Sequence, residues 1–210
     1  MIGQDVTMPV ALAPCGFGGM MSANGEIKAA RAAEKFGVPF ILSTMSINSI
    51  EDVAQGTTKP FWFQLYVMKD RDFVRDLIDR AKAARCSALV LTADLQVLGQ
   101  RHKDIKNGLS APPKPTLQSA LHVLSRPAWC LEMLGARRLT FGNIVGHARS
   151  VTNVASLSAW VSEQFDPALS WRDVEWIKAR WGGKCAPPGP PRRAVRGRDR
   201  MRAGCVCVCV

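Results

Sequence analysis

The segment FWFQLYVMKDRD, residues 61–72, decides how this chain is read. Phe61, Trp62, Phe63, Leu65 and Val67 are the residues of a strand covered on both faces, yet Gln64 and Tyr66 stand among them. Residues two apart in a strand share a face, so these two point the same way. A buried amide and a phenol side by side need hydrogen-bond partners, from neighbouring strands or from a ligand.

Working outward, the strand leads into DFVRDLIDRAKAA (72–84), where Phe73, Val74, Leu77, Ile78 and Ala81 form one helical face. The same strand-then-helix unit recurs upstream. MPVALAP (8–14) is an apolar run ended by proline and glycine, followed by the alanine-rich EIKAARAAEKFG (26–37), whose charges lie to one side and whose stop is Gly37. PFILS (39–43) precedes a helix opened by Ser49 and Asp52 in capping-box spacing. Downstream, ALVLTAD (88–94) is a fourth strand. A further helix is capped by Ser170 and Asp173, carries the stripe Trp171, Val174, Ile177 and Trp181, and ends at Gly182 and Gly183.

Strands apolar on both faces, each followed by a helix, imply parallel βαβ units. Two architectures fit, an open doubly wound sheet or part of a (β/α)8 barrel. The doubly wound dinucleotide-binding form needs GxGxxG after the first strand and an acid ending the second. CGFGGM (15–20) has the wrong glycine spacing and the second strand ends in Ser43-Thr44, which favours the barrel. Residues 95–169 are a long insertion expected over the active-site face, with LQSALHVLSRPAWCLEML (117–134) apolar enough to pack on a lid, a partner or a membrane surface.

Charge and cysteine content narrow the class. The net charge of +11 suggests an anionic partner, but residues 185–210 hold six arginines and one aspartate, so +5 of it lies in the tail. That tail has no strand or helix period and is expected to be disordered, and a nucleic-acid role is not expected of it. The seven cysteines form no CxxC pair and the three histidines, 102, 122 and 147, have no zinc-ligand spacing, so neither a disulfide framework nor a metal is expected. The first residues lack a secretory pattern and no apolar run reaches the length of a spanning helix, which reads as cytoplasmic.

Polar groups gather at the C-terminal ends of the four strands, where parallel barrels build their sites: Pro14 and Cys15, Ser43, Gln64 with Tyr66, and Thr92 with Asp94. Each alone is accounted for by ordinary backbone satisfaction or packing. Together they define one candidate pocket.

These residues carry a resemblance. MPVALAPCG (8–16), PFILST (39–44), WFQLYVMKDRD (62–72), LVLTADLQVLGQRHKDIKNG (89–108) and FDPALSWRDVEWIKARWGGK (165–184) are similar to the FMN-dependent α-hydroxy acid dehydrogenase and oxidase family, and within it to the bacterial respiratory L-lactate dehydrogenases. The resemblance implies a (β/α)8 barrel of which about the first four β/α units are present. It implies FMN as cofactor, with the backbone of Ala13, Pro14 and Cys15 against the flavin ring and Ser43, Gln64 and Thr92 hydrogen-bonding it. Tyr66 would contact the substrate, Arg101 would bind its carboxylate and Asp94 would orient the catalytic histidine. A guanidinium fork suits a carboxylate, and an aspartate raises the basicity of an imidazole. The implied reaction is oxidation of an L-2-hydroxy acid, L-lactate above all, with electrons passing to a quinone or another acceptor. The family is homo-oligomeric, and peripheral attachment at the inner face of the cell membrane is the alternative to a purely cytoplasmic location.

The chain departs from the family at both ends. The family's N-terminal tyrosine segment has no counterpart before Met8, and after Lys184 no fifth strand, flavin lysine, NHGGRQLD-like segment or phosphate-binding glycine turns follow. His102, His122 and His147 do not occupy the position of the family's base. The 210-residue chain is therefore expected to be inactive by itself, with an open sheet edge and exposed inner face. A non-catalytic half-barrel that assembles with a partner, or an inert gene remnant whose reading frame shifts after Lys184, is the competing reading.

Overall fold

The computed structural model describes residues 4–92, 121, 123–146, 160, 163–164, 166 and 168–182, and the backbone of 206–209. Three parallel strands form its centre: β1 (Ile41–Ser43), β2 (Trp62–Tyr66) and β3 (Ala88–Thr92). Their register pairs Ser43 with Gln64 and Tyr66 with Thr92. Around them run α1 (Gly18–Met21), α2 (Gly25–Phe36), α3 (Ile50–Gly56), α4 (Arg71–Ala83), α5 (Pro127–Leu134) and α6 (Trp171–Trp181). The parallel strands lie side by side in sequence order, without the reversal that defines a doubly wound switch point. This is the order of a (β/α)8 barrel seen over part of its circumference.

Local sequence explains the helices. Ser49 and Asp52 exchange both capping-box bonds, at 2.9 and 3.2 Å. Gly37, with φ 83°, ends α2 in the left-handed conformation that glycine adopts without a Cβ penalty. Asp70 caps α4 by accepting from the amides of Asp72 and Phe73. The face Phe73, Val74, Leu77, Ile78 and Ala81 is buried as its spacing predicts. In α6 Val174, Ile177 and Trp181 are buried, but Trp171 is 38% exposed. Helical side chains tilt toward the N-terminus, so the first residue of the helix aims past the surface its later turns cover.

Alternation sorts the strands into two faces. Leu42, Phe63, Leu65, Leu89 and Leu91 pack with α2, α3 and α4 in the main core. Ile41, Trp62, Ala88 and Val90 form a second cluster on the opposite, inner face. The sequence suggests that this inner face lies open. It does not: these four residues are between 1% and 9% exposed, and the Trp62 indole donates to Gln4 Oε1 at 3.1 Å.

Two further expectations change. The run 8–14 forms one parallel bridge, Leu12 to Phe40, rather than a strand. Pro9 and Pro14 have no N–H to donate, which confines the ladder to the residues between them. At the other end, Val206–Cys209, expected to lack structure, forms β4 and pairs antiparallel with β3 from Leu89 to Thr92. An unpaired edge of a parallel sheet is a template for any extended segment, and Val206 and Val208 suit a strand.

Candidate functional site

The inner-face alternation carries polar groups to the C-terminal ends of all three parallel strands. Ser43 and Gln64 are 3% and 1% exposed, while Tyr66 and Thr92 at the ends of β2 and β3 are half-buried. Ser43 Oγ donates to Gln64 Oε1 at 3.1 Å, and Gln64 Nε2 donates to Thr92 Oγ1 at 3.0 Å. One row of hydrogen bonds therefore crosses β1, β2 and β3. Ser43 Oγ also accepts the Met45 amide at 3.1 Å, which holds the turn leaving β1. Gln64 has two N–H groups and two lone pairs, and this row uses one of each.

The chain before α1 runs alongside this row. Leu12 receives the Ile41 amide at 3.2 Å, and farther on Phe17 donates its amide to Met45 O at 3.2 Å. Between those tethers Ala13 and Cys15 are exposed and Pro14 is half-buried, at the same end of the sheet as Ser43. Tyr66, the last residue of β2, stands in register with Thr92. Asp94 and Arg101 lie outside the described residues, as do His102, His122 and His147.

Two contributors were not visible in the sequence. Thr44, fully buried, donates to Gln64 O at 2.6 Å and accepts the Tyr66 amide at 3.2 Å, so it extends β1's grip on β2 beyond the ladder. Its only signal was a hydroxyl following Ser43. Asn143, also fully buried, donates to Ser46 Oγ at 3.0 Å and to Ser43 O at 3.4 Å. Its signal was one amide within the apolar FGNIVG (141–146).

The described part of the 95–169 segment sits against the loops that leave this end of the sheet. Phe141 packs edge-on to Phe17 at 4.7 Å, and Gly142 donates to Ile47 O at 3.0 Å. Trp129 of α5 donates to Met20 O at 3.1 Å. Behind the row, charge is paired. Burial pushes the Glu51 carboxyl up, but the Arg80 guanidinium, bonded at 2.7 and 2.9 Å, outweighs it and holds the group at about 2. Asp52 is likewise lifted by burial and lowered further by Arg138, so it stays below the usual carboxylate range. The buried Glu26, expected on the charged side of its helix, instead accepts the Ile47 amide at 3.0 Å.

Comparison with known proteins agrees with this geometry. Residues 1–186 match the model of the FMN-dependent dehydrogenase family. The chain is 44% identical over 184 residues to the L-lactate dehydrogenase of Azorhizobium caulinodans, covering 87% of this chain and 48% of that protein. It is 43% identical, with the same coverage, to the L-lactate dehydrogenase of Ectopseudomonas mendocina. Among solved structures, the monotopic membrane protein (S)-mandelate dehydrogenase superposes with a TM-score of 0.78 at 31% identity, covering 88% of this chain and 48% of the other. Mandelate oxidase with (S)-4-hydroxymandelic acid superposes with a TM-score of 0.62 at 29% identity, covering 86% and 44%. The chain spans about half the length of the curated relatives it matches. It belongs to the FMN-dependent dehydrogenase family.

Proposed function

We propose that this chain carries the flavin-edge part of an FMN site whose reaction is oxidation of an L-2-hydroxy acid, with L-lactate as substrate, to the 2-oxo acid. The observation that carries this reading is the Ser43–Gln64–Thr92 row. Among the described residues, Gln64 keeps one N–H and one lone pair uncommitted, the pair that the donor-and-acceptor edge of a flavin requires. Beside it Ala13 and Cys15 are exposed and Pro14 is half-buried, which leaves room for a flat ring. When bound, FMN takes the electrons from the substrate and passes them to a quinone or another acceptor.

The chain's own residues then divide the work. Ser43, Gln64 and Thr92 hold the cofactor's edge, and Ala13, Pro14 and Cys15 support its ring. Tyr66 contacts the substrate, Arg101 clamps its carboxylate by a two-pronged bond, and Asp94 orients the proton-accepting imidazole that the family supplies. None of His102, His122 and His147 serves as that base, and the 210-residue chain alone neither retains FMN tightly nor turns over.

The test is complementation. The chain is expressed alone and together with the C-terminal half of the Azorhizobium caulinodans L-lactate dehydrogenase, and L-lactate-dependent dye reduction is measured against D-lactate. Activity is expected only in the co-purified pair. Turnover by the chain alone overturns the assignment of the base, and a co-purified pair without flavin overturns the FMN reading.

The family's homo-oligomeric state is part of this proposal, as is a peripheral location at the inner face of the cell membrane. Supporting the latter, Met21 of α1, Leu124, and Leu131 and Leu134 of α5 are between 70% and 84% exposed. Arg126, exposed between Leu124 and Leu131, adds a positive charge suited to an anionic lipid surface. Among the described residues no helix is long and apolar enough to cross a membrane.

A further inference from the structure

Asn143 is one hundred residues from Ser43 in sequence, yet its side chain is fully buried against it. Every hydrogen-bonding capacity of the amide is used. Oδ1 accepts the Ile50 amide at 2.9 Å and Arg80 Nη2 at 3.5 Å, while Nδ2 donates to Ser46 Oγ at 3.0 Å and to Ser43 O at 3.4 Å. The orientation is forced, because Ile50 N–H and Arg80 only donate and Ser43 O only accepts. Its backbone carbonyl also accepts from Arg80 Nη1 at 3.2 Å.

The neighbouring glycine makes this approach possible. A Cβ on Gly142 would stand 2.8 Å from both Ile47 O and Ser49 N, backbone atoms that cannot swing aside. The turn therefore closes on the 46–49 loop only with glycine there, and this delivers the amide to the back of β1. Arg80, which steadies the acceptor side, is itself fixed by its two bonds to Glu51.

We propose that Asn143 is a positioning residue of the flavin-edge site, fixing the backbone of Ser43 so that its hydroxyl meets both Gln64 and the Met45 amide. A continuous path then runs from Arg80 through Asn143 and Ser43 to Gln64 and Thr92. The role as part of a cofactor site rests on the flavin reading above, whereas the positioning itself does not.

The two are separated by reading hydrogen exchange on variants of the 210-residue chain and FMN binding on the same variants co-purified with the complementing half. N143D keeps the acceptor atoms facing Ile50 and Arg80 but removes both donors. Loss of such a bond is expected to speed exchange of the Met45 amide and the Gln64 side-chain protons by about tenfold, with the Phe63 and Leu65 amides unchanged. N143A removes the acceptor side as well, so the Ile50 amide is expected to join them. S46A deletes one partner of the same amide and gives a smaller change in the same positions, which serves if N143D does not fold.

Unchanged exchange at Met45 and Gln64 overturns the proposal, as does an equal increase along all of β2, the mark of general loosening. In the co-purified pair with the C-terminal half of the Azorhizobium caulinodans L-lactate dehydrogenase, titrated by flavin fluorescence, N143D is expected to weaken FMN binding by about tenfold. A co-purified pair with slow Met45 exchange but no FMN binding overturns the flavin reading and leaves the positioning role to stand.

Discussion

The side-chain amide of Gln64 donates to the Thr92 hydroxyl at 3.0 Å across adjacent strands, with its oxygen already committed to Ser43 on the other side. One residue thus locks the polar ends of three strands. Q64L keeps the volume and leaves two hydroxyls without that partner. It is expected to destabilise the chain by about 1–3 kcal/mol and to abolish FMN binding by the co-purified pair. Denaturant midpoints of the chain and flavin fluorescence titration of the pair measure the two effects, and a Q64L pair that binds FMN like the parent pair would remove Gln64 from the site.

The Glu51–Arg80 pair gives acid sensitivity of definite sign. Its folded carboxyl, at about 2, lies below the ordinary glutamate value of 4.5, so its contribution is present above about 4.5 and lost as pH falls toward 2. E51Q is expected to be less stable than the parent at pH 7 and equal to it near pH 2. The difference at pH 7 is small, about 0–1 kcal/mol, because Glu51 is 44% exposed and water screens the pair. A stability gap that does not close on acidification would remove this pair from the account.

Two thiols differ in reactivity for a physical reason. Burial, with a lesser push from the Glu51 charge, raises the Cys86 thiol to about 12, whereas Cys15 is exposed. Iodoacetamide at pH 8 is expected to modify Cys15 in the folded chain and Cys86 only after unfolding, read by peptide mass mapping. Equal rates in the native chain contradict the burial of β3's entry.

Pairing of β4 with β3 protects the edge of the parallel sheet. Deleting residues 205–210 is expected to convert a dispersed sample into one that associates with rising concentration, followed by light scattering. A deletion that stays dispersed means that the β3 edge is guarded by something else.

Membrane attachment through α5 predicts that the parent chain sediments with vesicles containing anionic lipid, less so as salt is raised, and that L131D with L134D abolishes it. Binding that survives the double substitution would move the contact to another surface.

Much of the architecture was legible because its signals are local. The capping boxes at Ser49 and Ser170, the helical stripe from Phe73 to Ala81 and the glycine stop at Gly37 each depend on residues within one or two turns. Period-two alternation also puts Gln64 and Tyr66 on one face, and the family motifs single out Ser43, Gln64 and Thr92. Their bonding to one another follows from strand register, which the motifs imply only through the fold.

The tertiary structure decided what local pattern does not encode. Asn143 is one polar residue in an apolar stretch until folding brings it to Ser43, and Glu26 reads as a surface charge until α2 meets the Ile47 amide. Gln4 caps Trp62 on a face that sequence suggested would lie open, and the first apolar run pairs only at Leu12 because two prolines withhold donors. Helix and strand periods follow from backbone geometry and the side chains beside it, so sequence alone determines them. The partners of a buried polar atom are supplied by segments tens of residues away, and only their packing selects which donor meets which acceptor.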